Sequence, residues 1–227
     1  MQFVKPLQIQ AYEHLKQMIL DGKLDSDCIY SETKIAKDLG FSRTPTRDAI
    51  QRLSQERYLD IIPSKGFQIH TLSEQDLLET YQVRCALEGF CTVQLAKDFE
   101  KQEAQSVIQT LGTLLDQQES VIKTSHSILQ FTELDRQFHT VIVHYLGNSV
   151  ISDTFDNLRH QIEDQTRLSL AREGRLEETL QEHRAIFENI KIGAVGRTYK
   201  AILAHLEKPK EIIQLNEATK KELDSLT

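Results

Sequence analysis

The sequence predicts a mainly α-helical chain of two domains. Three observations carry this. Only 9 Gly and 4 Pro punctuate 227 residues, which favours long helices over many short strands. From Ser73 onward the apolar residues recur at helical spacing almost without interruption. Earlier in the chain, two short apolar runs flank Pro63-Ser64-Lys65-Gly66, as in a small hairpin.

The elements follow in order. Between Leu7 and Leu20, Ile9, Tyr12, Leu15 and Ile19 keep helical spacing, and Gly22 stops the run. Ser31 opens a short helix with Ile35, Ala36 and Leu39, closed by Gly40. A third helix begins at Ser42 or Thr44 and runs to about Glu56. Pro45 suits its first turn, where a backbone N–H has no intrahelical partner. The runs Tyr58–Ile62 and Phe67–His70 then form the hairpin. Three helices and a hairpin make a winged helix-turn-helix over residues 1–72.

Beyond it, helices are expected at about 73–97, 101–121, 127–146, 148–170, 176–192 and 194–207. Short connections make these an antiparallel bundle over residues 73–207. A polar C-terminal tail, 208–227, completes the expected layout.

With 39% hydrophobic and 27% charged residues, the chain can bury a core and is not a disordered polymer. No run of about 18 apolar residues offers a membrane span, and Met1–Pro6 carries no export signal. Three cysteines, Cys28, Cys85 and Cys91, without a CxxC pair read as reduced thiols. These features imply a cytoplasmic protein without a membrane partner. The net charge of -7 is unevenly spread. Residues 1–72 hold ten Lys/Arg against nine Asp/Glu, and the remainder seventeen against twenty-five. Any contact with nucleic acid is therefore expected in the first third.

The third helix supplies the residue types for that contact. A recognition helix reads the major groove mainly with residues near its N-terminus. Arg43, Thr44, Thr46 and Arg47 occupy that turn, with Arg52 farther along. Arg pairs bidentately with guanine, and Thr reaches a phosphate or a thymine methyl. Ser64, Lys65 and Gly66 at the wing turn are the other expected DNA contacts.

These residues resemble the GntR family of bacterial transcription regulators. That family carries a stretch close to E-x-x-L-A-x-x-L-G-V-S-R-x-P-V-R-E-A-L-x-x-L. Here stand Glu32, Ile35-Ala36, Leu39-Gly40-Phe41, the run Ser42 to Ile50, and Leu53. The chain departs from the pattern twice. Ser26-Asp27 replace a Pro-Gly before the second helix, and Arg57 replaces a turn glycine. The resemblance implies a homodimer on a pseudo-palindromic operator.

In the second domain, Asp135 and His139 lie four residues apart and so share one helix face. Later helices offer His183 and His205. An antiparallel bundle can bring all four to one interior point, a donor set suited to Zn, Ni, Mn or Fe. On spacing alone, a divalent metal site and unconnected histidines both remain open.

The region resembles the helical FCD-type effector domain of the FadR subfamily, whose pattern includes D-x-x-F-H, G-N, E-H and H-L. Asp135 to His139, Gly147-Asn148, Glu182-His183 and His205-Leu206 match those pieces. The resemblance implies a metal that helps hold a small organic or sugar acid effector.

Arg84, in a stretch similar to the subfamily's V-R-x-x-L-E, would grip such a carboxylate or form a salt bridge with Glu88. Arg159 and Arg167 are further pocket candidates. Two rival readings remain: a purely structural metal, or a metal-dependent hydrolase. The second finds no accompanying nucleophile, base or oxyanion motif, so a non-enzyme is expected.

Overall fold

The computed structural model describes residues 5–225. The readings that rest on residues 1–4 and 226–227 lie outside it. The chain divides into two compact units, Met1–Leu72 and Ser73–Thr227.

The first unit holds α1 (Leu7–Leu20), α2 (Glu32–Leu39), α3 (Arg43–Gln55), β1 (Leu59–Ile62) and β2 (Gly66–Ile69). Gly40 ends α2 in the left-handed conformation at φ 74°, which glycine adopts without a Cβ penalty. Ser42 is extended and α3 starts at the next residue. Ala11, Leu15, Ile35, Ala49, Ile50, Leu53, Leu59 and Phe67 form the core that fixes α3 against α1 and the hairpin. β1 and β2 pair antiparallel, with Leu59 opposite Ile69 and Ile62 opposite Gly66. Tyr30 adds a bridge to Phe67, so the wing is tied to the loop before α2.

The second unit is a bundle of α4 (Glu74–Lys97), α5 (Gln102–Thr124), α6 (Ile128–His144), α7 (Ser149–Asn157), α8 (Arg159–Leu170), α9 (Arg175–Lys191) and α10 (Val195–Ser225). Ser73 and Asp76 form a reciprocal capping box on α4, which satisfies two otherwise orphaned backbone donors. Leu95, Leu111, Phe131, Phe138, Ile142, Ile186 and Ile202 are among the side chains of one continuous core.

Two helices differ from the sequence expectation. The single helix expected over 148–170 is two, because Leu158 sits at φ -89°, ψ 0° and its N–H turns to the Phe155 carbonyl. Neither Gly nor Pro marks that break. Burial of Phe155 on one side and Ile162 on the other sets it. The last helix, expected to end near 207, continues through Pro209 to Ser225. Proline there removes one backbone hydrogen bond, and burial of Ile212 and Ile213 in the next turn offsets the loss.

Candidate metal centre and nucleic-acid interface

α6 turns Asp135 and His139 inward from one face, α9 contributes His183 and α10 contributes His205. All four are buried, and their ligand atoms lie within 4.8 Å of one another. His205 Nε2 is 3.1 Å from His139 Nε2 and 3.3 Å from His183 Nε2. Asp135 Oδ1 is 3.5 Å from His183 Nε2 and 3.9 Å from His139 Nε2. Donors bound at about 2.1 Å around one ion stand about 3 to 3.5 Å apart, so the set fits a single transition-metal ion.

The opposite edge of each ring explains why the Nε2 atoms converge. Glu88 Oε2, from α4, stands 2.5 Å from His139 Nδ1. On α5, Gln118 places Oε1 3.0 Å from His183 Nδ1. Glu182 Oε2, from α9, lies 2.7 Å from His205 Nδ1. Gln118 and Glu182 hold the ring protons of His183 and His205 on Nδ1, and Glu88 stands against the Nδ1 of His139 as a close ion-pair partner, which leaves each Nε2 as a lone pair. Three lone pairs facing one another at these distances repel unless a proton or a cation lies among them. Phe138 stacks on His183 at 4.3 Å and closes the apolar side of the cluster.

Burial, followed by the neighbouring imidazoles, pushes the His183 pKa well below the ordinary histidine value. Burial lowers His205 too, against the opposing pull of Glu182. Neutral imidazole is the form that ligates a metal.

The orienting carboxylates are themselves clamped. Burial alone would raise Glu88, but the Arg84 guanidinium and His139 hold it at about 2. Arg84 Nε lies 2.5 Å from Glu88 Oε1. The same opposition sets Glu182: burial raises it, while the bonds to His205 and Arg175 bring it to about 2. Arg175 holds that carboxylate with two bonds, of 2.6 and 2.7 Å. Two Arg–Glu–His chains therefore reach the cluster from different helices.

Arg84 is nearly fully buried. It makes the salt bridge to Glu88 and also lines a small cavity with Asp135, Arg175 and His205. Arg159 is not brought to that cavity. It is half exposed, pairs with Glu163 at 2.7 Å and borders a separate hollow behind His139. Arg167 is likewise exposed and paired with Asp164. Sequence reasoning missed Gln118 and Arg175, because each is placed by bundle packing and neither belongs to a motif. Glu88 was visible only as a salt-bridge partner of Arg84.

In the first unit, Arg43, Thr44 and Arg47 are exposed on the first turn of α3. Arg47 makes an ion pair with Glu32 at 3.2 Å. Thr46 is fully buried, and its hydroxyl donates to the Ser42 carbonyl. It is therefore a core residue and cannot touch a base, since α3 turns that face onto the domain interior. Arg52 lies over the Tyr12 ring at 4.0 Å and pairs with Glu56 at 3.0 Å, so its guanidinium is engaged on the protein. Ser64 and Lys65 are exposed at the wing turn. Gly66 has a structural reason of its own. At φ 132°, a Cβ there would lie 2.0 Å from the Tyr30 carbonyl oxygen.

Comparison with known proteins places both halves. Residues 7–69 match the model of the bacterial regulatory proteins, gntR family, and residues 79–208 match the FCD domain. The chain belongs to the GntR family. Its FCD domain covers more than half of the molecule. This GntR-family chain is 28% identical over 200 residues to the HTH-type transcriptional regulator YdhC of Bacillus subtilis, covering 88% of each protein. It is 29% identical over 179 residues to the gluconate operon transcriptional repressor of the same organism, covering 79% of this chain and 70% of the relative. In fold it is similar to E. coli McbR/YncC, with TM-score 0.70, 18% identity and coverage of 94% and 100%. The GntR-family chain is thus a DNA-binding transcription regulator and not an enzyme. Among the described residues, no helix is long and apolar enough to cross a membrane.

Proposed function

We propose that the chain is a metal-dependent sensor of a small carboxylate, acting in the cytoplasm as a homodimer on a pseudo-palindromic operator. One observation carries the sensor half: four buried donors converge, and every imidazole is held with Nε2 inward. Asp135, His139, His183 and His205 would hold a divalent transition metal. When bound, it supplies positive charge to which a carboxylate can attach.

A charge count supports a monoanion. Arg84 and Arg175 bring two positive charges, and Glu88, Glu182 and Asp135 three negative ones. A divalent ion leaves an excess of one positive charge, which one carboxylate neutralises.

For DNA, exposed Arg43, Thr44 and Arg47 would enter the major groove, while Ser64 and Lys65 on the wing would meet the backbone or minor groove. Arg47 must leave Glu32 to do so. Effector binding would shift operator affinity through the bundle, a coupling typically worth about 1–3 kcal/mol.

The test is a thermal-shift screen of organic and sugar acids on metal-loaded wild type and on His183→Ala. An acid at 100 times its Kd stabilises a fold by about 2.7 kcal/mol. An acid that shifts only the metal-loaded wild type carries the sensor reading.

The cavity beside the cluster measures only about 10 Å³, which favours a second reading, a purely structural metal. In that case chelation unfolds the second unit, and no acid changes DNA binding.

A further inference from the structure

Five helices are tied to the donor cluster. α6, α9 and α10 carry the donors, while α4, α5 and α9 carry Glu88, Gln118 and Glu182 behind the rings. α8 supplies neither a donor nor a support. Yet it walls both small cavities that reach the donors: Thr166, Ser169 and Leu170 face the one against Asp135 and His205, and Ile162 faces the one behind His139. Each cavity measures about 10 Å³, room for one water at most. A hydrated ion cannot pass while α8 stays in place.

The buried face of α8 is unlike that of a core helix. Its buried residues are Gln161, Ile162, Gln165, Thr166, Ser169 and Leu170, of which only two are apolar, whereas a core-facing helix ordinarily presents an apolar stripe. Gln161, Gln165 and Ser169 follow one another at four-residue spacing and so share that face. Gln161 Oε1, Gln165 Nε2 and Ser169 Oγ are buried and unpaired. An unmade bond at a buried polar atom costs more than a made one gains. Outward movement of α8 returns all three atoms to water.

The rest of the helix suits such movement. Arg159–Glu163, His160–Asp164 and Arg167–Asp164 close within α8 and hold it together as a unit. Arg136 of α6 reaches Glu163 at 3.5 Å, but each has a nearer partner, Glu133 at 2.8 Å and Arg159 at 2.7 Å. The helix begins at the break at Leu158 and ends in the turn 171–174, where Gly174 has φ 75°. Hinges are commonly a few residues of this kind at the ends of elements.

We propose that α8 is the gate of the metal centre: it swings outward as one rigid helix, and metal ions enter and leave beneath it. The inference rests on the metal reading above and adds the moving element and the route.

The experiment follows zinc uptake and chelator-driven zinc release on the full chain by stopped flow with a metallochromic indicator. Gln165→Leu removes an unpaired polar atom from the buried face without touching either cavity. It favours the closed position equally with and without metal, so uptake and release should both slow by one common factor, about tenfold. Ile162→Ala removes an apolar anchor and should speed both by about tenfold or more. In each variant the zinc Kd should match wild type, because the two rates change together. The variants act in opposite directions, so either one alone tests the gate.

Wild-type rates in the variants, with zinc binding intact, overturn the gate and leave the metal centre standing. A change confined to release, with a matching change in Kd, does the same, since α8 would then act on the bound ion and not on its passage. Failure of the wild type to bind zinc overturns the metal reading and the gate with it.

Discussion

Glu182 and His205 lie on different helices, yet Glu182 Oε2 is 2.7 Å from His205 Nδ1 while Arg175 grips the same carboxylate. The neighbouring residue, His183, points into the cluster itself. One segment of α9 thus supplies both a donor to the cluster and the support for a donor on α10.

That relationship predicts a graded loss of metal affinity. Glu182→Gln keeps an acceptor for His205 but loses charge, whereas Glu182→Ala loses both. Outer-shell partners typically contribute about 10–100-fold to metal affinity. Competition with a chromophoric chelator should place wild type first, Gln second and Ala last. Equal affinities would deny Glu182 a positioning role.

The metal-free protein should lose stability on acidification. His183 is lowered below its unfolded value of 6.5, and Glu88 and Glu182 are held at about 2 against an unfolded 4.5. In each case the unfolded chain binds more protons, so stability rises with pH across the window. The histidine contribution falls away below about pH 6.5 and the carboxylate contribution between about 4.5 and 2. Urea unfolding at a series of pH values should show midpoints falling steadily, with a total loss on the order of a few kcal/mol. A flat profile from pH 7 to 4 would contradict it.

Arg57, in the turn just after α3, has φ 60°, a conformation that costs a residue with a Cβ roughly 1–2 kcal/mol. Arg57→Gly relieves this but gains freedom in the unfolded chain. The expected net stabilisation is about 0.5–1 kcal/mol, read as a raised Tm of the first unit.

The start of α3 predicts a division of labour between adjacent side chains. Arg43→Ala should weaken operator binding by about 1–3 kcal/mol with an unchanged Tm. Thr46→Ala should lower Tm, because it opens space in the core and removes the bond to Ser42. Fluorescence anisotropy with operator DNA and thermal melts on the same samples separate the two effects.

Legibility in the sequence tracked how local the cause was. The winged unit could be read because glycines, a first-turn proline and apolar spacing act over a few residues, as at Gly40 and Pro45. Asp135 and His139 could be paired because four residues on a helix share a face. Which atoms would hold the rings could not be read, since Glu88, Gln118 and Glu182 meet their histidines only after five helices assemble. Thr46 misled because its position in a first turn says nothing of which face is buried. The break at Leu158 lacked a local signal altogether.

Pro209 lies four residues beyond His205 within one continuous helix. Having no N–H, it cannot donate to the His205 carbonyl, and its ring crowds that turn. The longest helix of the protein is therefore at its weakest beside the residue it offers to the cluster. Alignment of its final stretch depends on how Ile212 and Ile213 are seated, more than on the backbone that leads there.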